Sequence, residues 1–541
     1  MTRLRVGILA GSIGALAPWE VRLFDKICAD SRFELVAVLV GSGETPLPAA
    51  QRSSLAGLAF KLDLDRLARA PAVSGPAFRQ SLTTAKTIPV TGAHWDGGGV
   101  TAPTTIASLG QLSLDVLLVH GLDPLAAPLS QYTRFGAWWL QHAGQRLQTT
   151  SAAQALACLD CGPMVPVALM AVTDGNVSTV RALDAASFNL ERTPATTLAR
   201  TAEKSVSLVW RALQRLAASG TLTSAKSTDE ISTVPPAPAT VGRLSAARYA
   251  RPFAARASGL ITKRLARLAG QHDMRWSLFF GNGAFDPASL EQMREVRPAH
   301  GEFWADPFLL DKDGETFVFF ENYVYATGLG KISVGTYRDG HMRVLGDALD
   351  LPYHLSFPLV FEHGGQIYMV PETCAAKRVE VWRAVEFPLR WERVATALEG
   401  QSAADPVVFE DQGRWWLFAN ISNTPFEDHC NELYVFEADG PMLTRLTPHP
   451  RNPVVIGSGT ARNGGRIVRR GGKLLRMSQN NSHGIYGYGL NVMEITEFDA
   501  NHYSERCLAS VEPTFKPGLI GCHHMDQSAG IFVLDACRRS G

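Results

Sequence analysis

A chain of 541 residues is too long for one hydrophobic core and calls for about two to four domains. Its 52 basic and 51 acidic residues leave a net charge of +1, which argues against a nucleic-acid partner held by bulk charge. No run of about eighteen apolar residues offers a membrane-spanning helix. The eight cysteines form no framework, and Cys158 and Cys161 make one isolated CxxC, so the expectation is reduced thiols in the cytoplasm and no metal centre.

Arg3 and Arg5 ahead of the apolar run Val6 to Ala17 imitate a short signal peptide. Trp19 to Ile27 then continues with helical spacing, and Phe33 to Val40 is a second apolar run, so residues 4–41 read better as strand, glycine turn, helix and strand. Gly7, Gly11 and Gly14 lie around the first turn without GxGxxG spacing, and no acidic residue follows the second strand at once. Such a turn under a helix N-terminus still suits a phosphate or carboxylate. After a Pro-rich interval from Pro46 to Pro103, Leu112 to His120 reads as another buried parallel strand, and Val165 to Val172 leads into Thr173-Asp174-Gly175.

With Trp138-Trp139-Leu140-Gln141-His142 between them, this order of elements resembles the N-terminal domain of formyltransferases that use formyl-tetrahydrofolate. The resemblance implies a Rossmann-like α/β domain with a candidate site at His142 and Asp174. The cofactor expected there is formyl-tetrahydrofolate or, on a different reading, a nucleotide sugar. The family's asparagine falls on Leu140, and its Leu-Pro loop is replaced by Ala143-Gly144-Gln145-Arg146. An apolar side chain cannot supply a transition-state hydrogen bond, a loss of about 2.7 to 4 kcal/mol, so the resemblance carries the fold further than the activity.

Residues 195–218 read as one amphipathic helix with Val206, Leu208, Val209, Leu213 and Leu216 on its apolar side. Ser219 to Pro238 has linker composition. From 241 to 268, Arg243, Arg248, Arg251, Arg256, Lys263, Arg264 and Arg267 sit among Ala and Leu. That basic helix suits packing between domains or peripheral contact with an anionic membrane. The expected domains are 1–218, a linker and basic helix over 219–272, and 273–541.

The second half repeats. Trp304-Ala305-Asp306-Pro307-Phe308, Ser356-Phe357-Pro358 and Ala404-Asp405-Pro406 recur about every fifty residues, and the residue before each proline has a polar partner fifteen positions on, at Glu321, Glu372 and Asn420. A fourth copy runs from Ala461-Arg462-Asn463-Gly464-Gly465 to Arg476-Met477-Ser478-Gln479-Asn480, and a fifth from His523-His524 to Leu534. One small sheet cannot bury both faces alone, so five such repeats predict an all-β five-bladed propeller, with Met274 to Phe280 lending a strand to the fifth blade. Inner strands line the channel, which would gather Asp306, Phe357, Asp405, Arg462 and His523 or His524, with Glu321, Glu372, Asn420 and Gln479 at the second-strand ends. Carboxylates gathered with Arg and His suit acid/base work or a polyhydroxyl ligand, whereas Asp-Pro alone is also turn chemistry.

At Trp304 to Phe308, His354 to Pro358, Tyr368-Met369-Val370-Pro371-Glu372-Thr373, Ala404 to Pro406 and Asn452-Pro453-Val454, residues 276–541 resemble the propeller named after the N-terminal part of plant glucosamine inositolphosphorylceramide transferase. That domain is similar in fold to glycosidases of the arabinanase and xylosidase group. The resemblance implies Asp306 as general base, Glu372 as general acid and Asp405 as the residue tuning that acid. Glu321, Arg462, Arg476, Gln479, His523 and His524 are the substrate-binding candidates. The fourth copy departs from the family where Asn480 replaces an acidic residue. The expected function is a carbohydrate-active enzyme of cell-surface glycan or glycolipid assembly, its partner a sugar or glycolipid. The alternatives are a sugar N-formyltransferase with a glycan-binding propeller, and a non-catalytic carbohydrate-binding scaffold.

Overall fold

The apolar run at the start forms β1 (Leu4–Ala10), followed by α1 (Pro18–Ala29) and β2 (Phe33–Gly41). The computed structural model describes residues 3–41, 60, 62–63, 75–90, 108–120, 129–146, 152–173, 180–222, 274–528 and 530–539; Asp174, the basic segment 241–268 and nearly all of the linker lie outside them. The chain divides into two compact units, Met1–Ser258 and Gly259–Gly541.

The first unit continues with α2 (Pro76–Leu82), β3 (Lys86–Val90), β4 (Val116–Val119), β5 (Ala137–His142), β6 (Gln145–Arg146), α3 (Ala152–Leu159), β7 (Met164–Val172), β8 (Arg181–Asn189) and α4 (Pro194–Ser219). Its main sheet has the order β3-β2-β1-β4-β5-β7-β8, parallel as far as β5 and antiparallel beyond. Val6, Ile8, Leu9 and all of β4 are buried, the continuous apolar pattern of strands covered on both faces. Helix α4 starts where Thr193 Oγ1 accepts the Thr196 N–H at 3.2 Å with Pro194 at the first helical position, and ends at Gly220 in the left-handed region. Its Arg211 grips Asp184 of β8 in a two-toothed ion pair at 2.8 and 2.7 Å.

The second unit opens with β9 (Met274–Asn282) and β10 (Arg294–Val296). Three antiparallel sheets follow in chain order. The first holds β11 (Glu302–Lys312), β12 (Glu315–Val324), β13 (Leu329–Arg338) and β14 (His341–Leu349). The second holds β15 (Ser356–His363), β16 (Gln366–Glu372), β17 (Val379–Glu386) and β18 (Arg390–Ala397). The third holds β19 (Ala403–Asp411), β20 (Arg414–Ile421), β21 (Glu432–Ala438) and β22 (Leu446–Pro448), with β23 (Val455–Ile456) also on β21.

The remaining strands are β24 (Asn463–Arg470), β25 (Lys473–Asn480), β26 (Gly489–Phe498), β27 (Tyr503–Val511), β28 (Leu519–Gly521), β29 (Met525–Ser528) and β30 (Ile531–Arg539). They make a fourth four-stranded set, β24 to β27, and a fifth, β29-β30-β9-β10, joined by one parallel pairing of Gly465 with Met525. The fifth set is completed from the other end of the unit, because β9 pairs with β30 along its whole length, from Met274 opposite Arg539 to Asn282 opposite Ile531. The unit is thus a propeller-like, almost wholly β arrangement.

Each of the first three sheets has the same break in its first strand. Register shifts fall between Ala305 and Phe308, Ser356 and Leu359, and Ala404 and Val407. At each break the residue before proline takes a left-handed backbone: Asp306 at φ 49°, Phe357 at 47° and Asp405 at 46°. That conformation is strained for a residue with a Cβ, and more so ahead of proline, so the packing around it must impose it. The bulge also sets the neighbours: Glu321, Glu372 and Asn420 pair with Ala305, Ser356 and Ala404, the residue just before each bulge position and so one residue beyond the fifteen-residue spacing.

Deeper in, Arg466 of β24 ties four sheets together. Its guanidinium pairs with Asp526 of β29 at 3.1 Å through two nitrogens and donates to Val360 O at 3.0 Å and Leu309 O at 3.2 Å. Asp526 in turn accepts the Leu309 N–H at 2.8 Å.

Candidate functional site

The bulges of the first and third sheets carry Asp306 and Asp405, near the polar ends of β12, β16 and β25, whereas the bulge of the second sheet carries Phe357, which is buried in the hydrophobic core against Phe308 and His524. Asp306 donates its N–H to Asp535 Oδ2 at 3.0 Å and accepts the Phe357 N–H at 3.3 Å. In the third sheet, Asp405 donates its N–H to Glu372 Oε2 at 3.1 Å. Arg462 reaches in from the start of β24: its Nε lies 2.6 Å from Asp405 Oδ2, and its Nη2 lies 3.2 Å from Asp405 Oδ1 and 3.4 Å from Glu372 Oε2. Gln479 donates to Asp405 Oδ2 at 3.2 Å, while its own Oε1 is buried without a partner. Cys374 donates to the other Glu372 oxygen at 3.1 Å. Asp306, Glu372, Asp405, Arg462 and Gln479 therefore belong to one buried cluster.

Burial decides the charge states. It pushes the Asp306 carboxyl up to about 7, His523 pulling back and Asp535 and Asp405 pushing further. It also pushes Asp405 up to about 7 against the pull of Arg462, with Glu372 adding to the rise. Glu321 is carried well above the carboxylate range, first by burial and then by Asp306 and Glu372. His354 Nε2 lies 3.5 Å from Glu321 Oε1, while His354 Nδ1 accepts the Gly330 N–H at 3.0 Å. The ring proton of neutral His354 is thus on Nε2, facing Glu321.

Behind Asp306 is an anchor that sequence reading missed. Asp535 accepts the N–H groups of Asp306, His523 and His524 at 3.0, 3.0 and 2.9 Å, and His523 Nδ1 lies 2.7 Å from its Oδ2. Burial acts to lower the His523 imidazole, but Asp535 outweighs it and holds His523 above its usual value. Asp306, His523 and Asp535 each offer a ligand atom within 4.8 Å of the others, yet Asp535 is already committed as an acceptor. The trio reads as a hydrogen-bonded support for Asp306. A single acidic residue closing the apolar run Ile531 to Leu534 was the available signal for Asp535. His354 and Tyr486, whose ring lies 5.0 Å from the Arg462 guanidinium, were missed as well.

Three substrate-binding or site candidates are placed elsewhere. Arg476 is fully buried in a two-toothed pair with Glu505 at 2.9 and 2.7 Å and donates to Thr460 O at 2.7 Å. It stands three residues from Gln479 on the same strand, and side chains alternate faces with a period of two, so the two point to opposite sides. His524 packs edge-on between Phe308 and Phe357, at 4.6 and 5.0 Å, and burial pushes it down to about 3; it touches Asp306 at 3.5 Å from within the core. Asn420 is a strut, donating to Glu432 O and Ala461 O and accepting the Asn463 N–H.

In the first unit, His142 is fully buried, with Nε2 3.1 Å from Ser205 Oγ of α4, and burial pushes it down to about 3. With Leu140 also buried, these residues do not fit a formyl-tetrahydrofolate site. The α1 N-terminus is already taken: Glu20 accepts the Ala17 N–H at 2.6 Å and lies 3.3 Å from His120 Nδ1, so a carboxylate stands where a phosphate would have to bind. The Cys158 and Cys161 thiols are both pushed up by burial, Cys161 to about 11. Among the described residues, no helix is long and apolar enough to cross a membrane.

Residues 286–516 match the family model described as glucosamine inositolphosphorylceramide transferase 1, N-terminal. The chain is 32% identical over 233 residues to glucosamine inositolphosphorylceramide transferase 1 of Oryza sativa subsp. japonica, over 42% of this chain and 31% of that protein. To the Arabidopsis thaliana protein of the same name it is 34% identical over 208 residues, 38% of this chain and 27% of that one. The chain thus spans about a third of the length of the curated relatives it matches. Similar solved structures include a family 117 glycoside hydrolase of Zobellia galactanivorans, 11% identical over 49% of this chain and 91% of that one with a TM-score of 0.32. Another is a β-xylosidase/α-arabinofuranosidase from a compost metagenome, 14% identical over 45% and 92% with a TM-score of 0.34.

Proposed function

We propose that residues 273–541 form a five-bladed propeller whose funnel is a carbohydrate site, and that this site acts on or transfers a sugar of a cell-surface glycan or glycolipid. The observation that carries the reading is the cluster itself: Asp306, Glu321 and Asp405 are all held above the usual carboxylate range by burial and by neighbouring carboxylates, in one set with Glu372 and Arg462. Glycoside cleavage or transfer needs two carboxyl groups in opposite protonation states, and a crowded, buried set provides them. The similarity of residues 286–516 to proteins named for glucosamine transfer to inositolphosphorylceramide supports a glycolipid setting.

Asp306 is the general base, positioned by the Asp535 anchor, and Arg462 with Asp405 forms the binding and tuning pair. Glu372 is engaged as an acceptor on both oxygens. The proton donor is therefore assigned to Glu321, whose proton affinity is raised by burial and which is backed by His354, in place of the role the resemblance gave Glu372. Residues 1–218 are read as a Rossmann-like, formyltransferase-like domain on their strand order, in a supporting role.

The test uses the full chain with nucleotide sugars and inositol-containing lipids as candidate donors and acceptors, product being followed by mass spectrometry. Asp306→Asn is expected to lower turnover at least about a hundredfold with unchanged melting behaviour at pH 5. An active Asp306→Asn protein of equal stability there ends the assignment.

A further inference from the structure

We infer that Tyr486 is a stacking platform for one pyranose ring of the substrate, with Gln479 Oε1 as the acceptor that orients that ring. The inference rests on the carbohydrate reading above and names a subsite within it.

Tyr486 is 42% exposed, and among the described residues it is the one aromatic ring in the set of exposed large apolar side chains. A solvent-facing aromatic at a polar cluster calls for an occupant, because its ring loses most by staying in water. One side is already occupied: the Arg462 guanidinium lies 5.0 Å from the ring centre, and the same guanidinium grips Asp405 and Glu372. His523, itself stacked on Trp276 at 4.2 Å, meets the Tyr486 ring edge-on at 5.5 Å. The exposed remainder can take the apolar C–H face of a sugar.

The loop that carries Tyr486 is held in place. Asn481 Oδ1 accepts the Gly487 N–H at 2.7 Å, and Gly487 O accepts the Cys522 N–H at 2.9 Å. Gly487 sits at φ 63°, and a Cβ there would come within 2.9 Å of His523, so this turn needs glycine and fits closely against the fifth sheet. A platform fixed before binding spends no ordering entropy on capture.

A second, independent observation lies across Arg462. Gln479 is 1% exposed, uses its Nε2 on Asp405 and leaves Oε1 without a partner. A buried acceptor without a donor is unfavourable in isolation and is satisfied by a hydroxyl or ammonium group of a bound sugar. Stack and acceptor together select a pyranose with one continuous C–H face and a donor at its edge.

The experiment titrates the full chain with methyl β-glucoside and with glucosamine, read by saturation-transfer NMR and calorimetry, for wild type, Tyr486→Ala and Tyr486→Phe. The expected result is binding that weakens about tenfold in Tyr486→Ala and stays within about twofold in Tyr486→Phe. The melting curve of Tyr486→Phe should coincide with that of wild type, since the ring and its contacts with Arg462 and His523 are kept. Equal binding by wild type and Tyr486→Ala overturns the platform while leaving the carbohydrate reading in place. Loss in Tyr486→Phe equal to that in Tyr486→Ala assigns the contact to the hydroxyl and also overturns the stack. Binding of neither sugar to any of the three proteins sinks the carbohydrate reading and the platform with it.

Discussion

Asp306 illustrates how one buried carboxyl links catalysis to stability. Burial raises it from the usual 3.8 to about 7, so its contribution to stability is complete below about pH 4 and is lost as pH rises through 7. Asparagine has no charge to bury. Asp306→Asn should therefore gain stability relative to wild type between pH 5 and pH 8, by at most about 3 kcal/mol at 1.4 kcal/mol per unit. Melting temperatures of both proteins at the two pH values check this, and a gap that does not change with pH rejects it. Arg462 works in the other direction. Without it Asp405 and Glu372 share a buried site unpaired, so Arg462→Ala should lose about 3 to 5 kcal/mol at pH 8 and clearly less at pH 5, as measured by urea unfolding. What the sequence made legible at this scale was the residue before each proline, since three copies placed it in register. Asp535 was not legible because it occurs once, inside an apolar strand, and its partners are backbone N–H groups more than two hundred residues away in the case of Asp306. Arg476 and His142 were misplaced for a simpler reason: residue type was visible, but the face of the strand was not.

At the scale of elements, the bulge in β11, β15 and β19 converts a sequence repeat into a site. It costs a left-handed residue each time and re-aims one side chain out of the pleat. Spacing alone predicted the repeat but could not predict which neighbour Glu321 or Glu372 would face, because an extra residue in one strand shifts the count by one. The fourth strand, β24, departs further, with a shift between Asn463 and Ile467, and it is here that arginine replaces aspartate at the cluster. Four residues on, Arg466 fastens sheets one, two and five to the fourth. Arg466→Met keeps much of the volume but leaves Asp526 without its cation and two carbonyl groups without their donor. A loss of about 3 to 5 kcal/mol in denaturant midpoint experiments is expected, and a loss below about 1 kcal/mol contradicts the strut.

For the whole second unit, closure decides everything. The cluster draws Asp306 from the first sheet, Glu372 from the second, Asp405 from the third, Arg462 and Gln479 from the fourth, and His523 with Asp535 from the fifth. The pairing of β9 with β30 was legible as the need for a missing strand, because a ring with an unfilled last sheet would expose an edge. Its consequence lies in the order in which the chain is made. Asp306 leaves the ribosome 229 residues ahead of Asp535, on the order of ten seconds or more at ordinary synthesis rates. Throughout that interval β9 has only the short β10 beside it and Asp306 has no anchor. A nascent or interrupted chain therefore carries every upstream carboxylate yet lacks the assembled centre, so competence arrives in one step, with the last strand.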